Sequence, residues 1–346
     1  MNWILYLKTT ETCNLNCKHC FTNGTSGPKI YWNKTAVIDW LDKFSNHISP
    51  EDTVHCEFHG GEPFLVGTSE MRDVWFYTKD KLPNVTWGAT SNLVFKMYDQ
   101  HYALIKDVFG NRIGTSWDPK IRFANNKQYE LWHSNVKQLL KFGATVKLNI
   151  SVTQDTIDIE PIVLLRWIRR LGVQEVSFER LTGNGSANKH PEIFPKNKDQ
   201  DAWFLKMHEQ SEEYGAREWF DNDFMETIYS KFETGFTKGG TFCRDCEEKI
   251  FTLNADGSIA GCPNSAPEMQ FGHINMDIGE LINNPVRIQN ITCERSRNPI
   301  CYNCEVFQYC GGDCHQLSWD ADICGAPKSL MKKLSSMKKV WMIKEL

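Results

Sequence analysis

The chain has 346 residues, of which 41% are apolar and 24% charged, and its net charge is −4. That length allows two domains or one large barrel with an appendage, and the composition is ordinary for a soluble globular protein. The charge excludes a global field that recruits nucleic acid or an anionic membrane surface. No apolar run approaches the ~18 residues of a membrane span, and the N-terminus lacks a signal-peptide pattern. Thirteen cysteines without a secretory signal point to metal ligands in a reducing cytosol, so a cytoplasmic location is expected.

In chain order, Trp3–Leu7 reads as a first strand. Cys13, Cys17 and Cys20 follow it in the run Cys-Asn-Leu-Asn-Cys-Lys-His-Cys. Three thiolates on one short loop can hold three irons of a [4Fe–4S] cluster and leave the fourth iron open to a small molecule. A structural zinc site is the alternative, but nothing nearby completes its tetrahedron. A helix over Thr35–His47 comes next, then a strand in which Val54, Cys56 and Phe58 alternate. Gly60-Gly61-Glu62-Pro63 ends that strand in a tight turn. Two glycines let backbone approach a ligand closely, and Glu62 can accept from an ammonium group. The alternation continues with strands at Thr86–Ser91, Arg112–Ser116, Thr145–Val152 and Glu175–Glu179. Helices are expected between them at Ser69–Lys81, Met97–Asp107, Tyr129–Phe142 and Ile159–Leu171. This is the pattern of repeated βα units, whose ligands gather at the C-terminal ends of the strands.

The three-cysteine loop and the Gly-Gly-Glu-Pro turn together resemble the radical S-adenosylmethionine (SAM) superfamily. The resemblance implies an α/β fold, a partial (β/α)6 barrel. It also implies SAM on an open-iron [4Fe–4S] cluster, with the methionine amino group met by Gly60, Gly61, Glu62 and Pro63. Thr90-Ser91-Asn92, Thr115-Ser116-Trp117-Asp118 and Asn149–Thr153 resemble positions that line the SAM pocket, and Ser116 and Asn149 are carried forward as candidates. Turn chemistry explains the same residues at strand exits. His19 stands where the family usually has an aromatic against adenine.

Residues 183–240 turn polar, carry helical stretches near Ala202–Tyr214 and Asp223–Phe232, and lead through Thr237–Gly240 into a second cysteine-rich region. There Cys243-x2-Cys246 and Cys262 precede Cys301-x2-Cys304-x5-Cys310-x3-Cys314 and Cys324. Zinc ribbons would suit the x2 pairs but leave Cys324 unused. The spacing resembles the SPASM extension of peptide- and protein-modifying radical SAM enzymes, which implies two auxiliary [4Fe–4S] clusters and three clusters in all. The interleaved ligand order of that family assigns Cys243, Cys246, Cys262 and Cys314 to one auxiliary cluster. It assigns Cys301, Cys304, Cys310 and Cys324 to the other. Cys56 reads as a small buried hydrophobe, and Cys293 lies outside the pattern.

The expected division is a barrel over 1–215, a helical linker over 216–240, a small cysteine-rich domain over 241–326 and a C-terminal helix over 327–346. That helix carries Lys328, Lys332, Lys333, Lys338, Lys339 and Lys344, and reads as solvated or as a basic patch. Two departures narrow the function. Pro263 follows Cys262 where sulfatase maturases carry an acidic residue, which disfavours that activity. The chain starts at its first barrel strand, so leader recognition would fall to a separate protein or to the barrel surface. The resemblance implies SAM cleavage and oxidation of a peptide substrate by side-chain cross-linking, with a flavodoxin- or ferredoxin-type electron donor. An enzyme on a small molecule or nucleotide is the second reading, and a cluster-holding scaffold without turnover is a third. Asp313 and Glu268 are acidic candidates for a catalytic base on location alone.

Overall fold

The computed structural model describes residues 1–236 and 241–344. Its strands are β1 (Asn2–Thr10), β2 (Thr53–Gly60), β3 (Val85–Ala89), β4 (Arg112–Ser116), β5 (Thr145–Val152) and β6 (Glu175–Arg180), then β7 (Asp221–Asn222), β8 (Ile250–Leu253), β9 (Ser258–Ala260) and β10 (Gly272–His273). Hydrogen bonding orders them β10-β9-β8-β1-β2-β3 and β4-β5-β6-β7. A parallel bridge between Thr90 and Gly114 joins the two sheets, and the Ser91 amide donates to the Gly114 carbonyl at 2.9 Å. The strands β8 and β1 to β7 therefore run parallel in one open series, a partial barrel with helices outside.

Strand alternation builds the wall. Leu5, Leu7, Val54, Cys56 and Phe58 are buried on the outer side, facing the helices. Their in-between neighbours on β1 and β2 face the interior. The helix Lys34–Ser45 begins where the Asn33 side chain accepts from the Ala36 amide, and it buries Val37, Trp40, Leu41 and Phe44. The helix Pro161–Leu171 starts later than the apolar pattern suggests, because Pro161 suits the first helical position.

Four strands, β7 to β10, went unread in the sequence. Asp221–Asn222 is too short to show any period. Ile250–Leu253 is apolar throughout and buried throughout, so alternation gives no signal. It lies inside the cysteine-rich region yet pairs with β1, Ile4 opposite Ile250. Phe251 of β8 packs its ring 5.8 Å from both Trp40 and Phe44. The cysteine-rich region thus shares the barrel's sheet and core.

The C-terminal helix spans Lys328–Lys344. Asp201 receives the Ser329 amide at 2.8 Å and its hydroxyl at 2.6 Å, and Leu330 and Met331 are buried. Lys332 pairs with Glu305 at 2.6 Å and Lys333 with Glu209 at 2.7 Å, so these two serve the fold and not a free basic patch. Thr237–Gly240 lies outside the described residues, as do residues 345–346 of the expected helix and the side chains of Lys338, Lys339 and Lys344. Among the described residues no helix is long and apolar enough to cross a membrane.

Candidate active site

The interior of the barrel is a cavity of about 580 Å³. Tyr6 and Lys8 of β1, His55, Glu57 and His59 of β2, and Glu179 of β6 line it. Ser116 and Asn149, both expected from the sequence, line it from β4 and β5. The charged lining residues escaped the sequence reading, although their signal was present. They are the opposite parity of the strands whose apolar positions were recognised.

Cys13, Cys17 and Cys20 all reach this cavity. The loop after β1 is tied down by backbone bonds from Lys18 to Ile121 (3.2 Å), from Thr25 to Leu15 (3.0 Å) and from Ser186 to Cys20 (2.8 Å). Donors already point at the sulfurs. The Leu15 amide meets Cys13 at 3.4 Å, the Gly24 amide meets Cys20 at 3.2 Å, and the Asn92 side-chain amide meets Cys13 at 3.6 Å. Burial pushes the Cys13 thiol up to about 12 and the Cys17 thiol up to about 11. Such groups become thiolates when a cation coordinates them. Among the described residues, no three Cys, His, Asp or Glu side chains converge tightly enough for a single metal ion. A cubane spaces its thiolates more widely than one ion does, so three free thiols on one loop, Cys13 and Cys20 among them met by N–H donors, fit a cluster.

Gly60 and Gly61 border the cavity through close backbone contact. A Cβ on Gly60, whose φ is +131°, would sit 2.3 Å from the Thr10 carbonyl oxygen, and one on Gly61 2.1 Å from that of Thr12. The Gly61 amide donates to Thr10 at 2.8 Å and the Glu62 amide to Thr12 at 2.9 Å, so the turn lies flush on the exit of β1. Glu62 itself is fully buried. Its carboxylate is buried away from the cavity lining and accepts from the Asn92 amide (2.8 Å), the Ser91 hydroxyl (2.9 Å) and the Phe64 amide (3.2 Å). Burial lifts it to about 7. Glu62 holds the β3 exit in place, and Pro63 starts the turn Pro63–Val66 behind it.

His19 lines the cavity with a ring held from the side, not free to stack as an exposed loop residue. Its Nε2 is 3.4 Å from the Arg122 guanidinium and 3.6 Å from Asp118. Burial pushes it down to about 4, and its Nδ1 has no hydrogen-bond partner. Asp118 accepts from Arg122 Nε at 2.6 Å and from the Ser151 amide at 2.7 Å. Burial alone would raise Asp118, but Arg122, His19 and Ser151 together hold it below the usual carboxylate range. Arg122 was absent from the sequence reading, since a lone arginine after a strand carries no pattern. Its charge lies close enough to Cys17 to favour the thiolate.

The remaining thiols fall into two groups. Cys246, Cys262 and Cys314 are near enough to raise one another, with burial the larger cause. Cys243 lies near enough to Lys249, at the end of the turn Cys246–Lys249, to raise it. In the other group Cys301 feels Cys304, Cys310 feels Cys324, and Cys324 feels Cys301. Cys293 is exposed and Cys56 buried, outside both groups. Asp313 is corrected as a base. Arg180 grips it through both guanidinium nitrogens, NH2 to Oδ1 at 2.7 Å, and the two side chains are 4% and 5% exposed. Asp313 has no route to a substrate proton. Glu268 is exposed in the turn Pro267–Met269, off the cavity. Pro263 and Asn264 do line the cavity, so one space runs from the Cys13–Cys20 loop to the residues after Cys262.

Comparison with solved structures finds this architecture. The chain matches anSMEcpe, an anaerobic sulfatase-maturating enzyme, with bound AdoMet at a TM-score of 0.80 and 16% identity, covering 100% of this chain and 99% of that one. The structure with AdoMet and the Cp18Cys peptide matches at 0.79 and 16%, covering 96% and 95%. The fold is that of the radical SAM/SPASM enzymes. Streptococcus suis SuiB bound to its precursor peptide SuiA matches at 0.64 and 13%, covering 91% of this chain and 72% of that one. No protein-family model matches the sequence, and neither does any curated protein.

Proposed function

We propose that this chain is a radical SAM enzyme that oxidatively modifies a peptide. The observation that carries the reading is the single cavity that touches both the Cys13–Cys20 loop and the segment following Cys262. Cys13, Cys17 and Cys20 would hold the cluster that binds SAM. Cys243, Cys246, Cys262 and Cys314 would hold one auxiliary cluster, and Cys301, Cys304, Cys310 and Cys324 the other. When bound, SAM and the clusters supply hydrogen-atom abstraction and an acceptor for one electron.

The chain's own residues bind, orient and exclude water. Gly60 and Gly61 offer backbone groups at the mouth, Ser116 and Asn149 offer a hydroxyl and an amide, and His19 offers an unpartnered Nδ1. Arg122 balances thiolate charge. The similar structures that carry peptides support a peptide as the substrate. Cross-linking of side chains in a ribosomally made peptide is the modification we favour, with a flavodoxin- or ferredoxin-type donor, a separate leader-binding protein and a cytoplasmic location. Sulfatase maturation is disfavoured because Pro263 cannot take a proton. A small molecule or nucleotide is the competing substrate class.

The test is anaerobic reconstitution followed by SAM and dithionite, alone and with the short peptides encoded beside the gene. Release of 5′-deoxyadenosine and a peptide lighter by two hydrogens support the reading. Release of 5′-deoxyadenosine with every peptide unchanged moves the substrate to the second class, and no 5′-deoxyadenosine ends the proposal.

A further inference from the structure

Forming a bond between a substrate carbon and a side-chain heteroatom removes two hydrogens from the substrate. One leaves as a hydrogen atom to the SAM-derived radical. The X–H bond then gives one electron to an auxiliary iron–sulfur cluster and one proton to a base. Asp313 is closed in its ion pair and Pro263 has no acceptor for that proton. The base therefore belongs to another wall of the cavity.

We infer that Glu57 is this base and that His55, donating from Nε2, is the positioning residue that holds its carboxylate toward the cavity. Glu57 Oε2 lies 3.1 Å from His55 Nε2, and His55 Nδ1 lies 2.9 Å from the Thr86 hydroxyl. The carboxylate fixes the tautomer with hydrogen on Nε2, which leaves Nδ1 to accept from Thr86. Thr90 donates to the other carboxylate oxygen, Oε1, at 2.6 Å. Room for this arrangement is built into the adjacent strand. A Cβ on Gly88, which pairs with Glu57 across β2 and β3, would sit 2.3 Å from Glu57 Oε2. Glu57 is 14% exposed and His55 42%, so a sheltered carboxylate is held in place by an imidazole on its wetter side. Burial chiefly, then Glu57, then Cys262 raise the Tyr6 hydroxyl, which places Glu57 and the Cys262 thiol around the same buried ring. Glu179, the other carboxylate of the cavity, accepts from Ser177 and has no such pair of supports.

The inference rests on the peptide-oxidation reading and is tested separately from it. Wild-type holoenzyme is assayed with SAM, dithionite and the neighbouring-gene peptide that loses two hydrogens, and the ratio of product to 5′-deoxyadenosine is recorded. Glu57→Ala lowers that ratio about 10²–10⁴-fold, the usual range for a general base. Added formate, which fits the space left by the carboxylate, restores it at least about tenfold; a structural role gives no such rescue. Glu57→Gln, close to isosteric, lowers the ratio without rescue. Independently of turnover, ¹⁵N-histidine spectra show His55 as the Nε2–H tautomer in wild type and as mixed tautomers in Glu57→Ala. A Glu57→Gln ratio within about twofold of wild type overturns the inference while leaving the peptide reading intact. A wild-type enzyme that changes no peptide strikes the reading itself.

Discussion

The two cysteine-bearing regions use the same ligand chemistry in opposite surroundings. The Cys13–Cys20 loop presents its thiols to an open cavity, among backbone N–H donors and beside Arg122. The thiols from Cys243 to Cys324 are stitched into β8, the Arg180–Asp313 pair and the turn Cys246–Lys249, and none of them borders the cavity. Access separates them. On the proposed reading, a cluster on the first loop would meet a small molecule, whereas clusters in the second region would exchange only electrons with it. The second region also holds a buried ion pair. Its apolar residues, Leu253, Ile259, Phe271, Ile278 and Leu281 among them, continue the barrel core that Phe251 enters, and Arg180 bridges from β6 to Asp313.

The contrast can be broken by loosening the closed region. Phe251→Ala removes a ring that packs on Trp3, Trp40 and Phe44 and should cost about 3–5 kcal/mol, read by chemical denaturation. Asp313→Asn leaves Arg180 buried without a countercharge and should cost about 3–5 kcal/mol. Iron should then be lost from the cysteine-rich region, where Asp313 adjoins both Cys310 and Cys314. An Asp313→Asn protein of wild-type stability and full iron would show the pair to be incidental.

On the open side, Glu62 offers a pH signature. Its carboxyl rises from 4.5 to about 7 in the folded chain, so the folded state holds this proton more tightly. The contribution is complete below pH 4.5 and is lost as pH rises through 7, a change on the order of 3 kcal/mol. Glu62→Gln cannot titrate and should flatten stability across that window relative to wild type. An identical slope in both proteins would contradict a buried Glu62. The smallest effect belongs to the surface. Lys333→Ala removes an exposed pair with Glu209 and should change stability by no more than about 1 kcal/mol.

Much of the fold was legible because the signals were periodic or local. The strands Arg112–Ser116 and Thr145–Val152 have the bounds their patterns suggest, and Asn33 and Pro161 mark helix starts by ordinary capping chemistry. The docking of β8 on β1 was not legible, since it joins residues about 250 positions apart through an unpatterned apolar run. At the site, spacing put Cys13, Cys17 and Cys20 on one loop. It could not show that Glu62 points away from the cavity, because three donors that turn it come from β3 and from its own turn. Asp313 looked available only because its partner, Arg180, lies 133 residues earlier in the chain. Glu57 and His55 were overlooked as the polar half of a strand read for its apolar half.

The central claim is that the open loop cleaves SAM while the closed region finishes the reaction. The most direct measurement is 5′-deoxyadenosine formation with SAM and dithionite in two variants, one with Cys13, Cys17 and Cys20 changed to alanine and one with Cys262 and Cys314 changed to alanine. The account predicts that each loses about a third of the iron of a three-cluster protein. It predicts no 5′-deoxyadenosine from the first variant, and continued release without peptide product from the second. SAM cleavage that survives loss of the Cys13–Cys20 loop, or that fails only when Cys262 and Cys314 are removed, would contradict it.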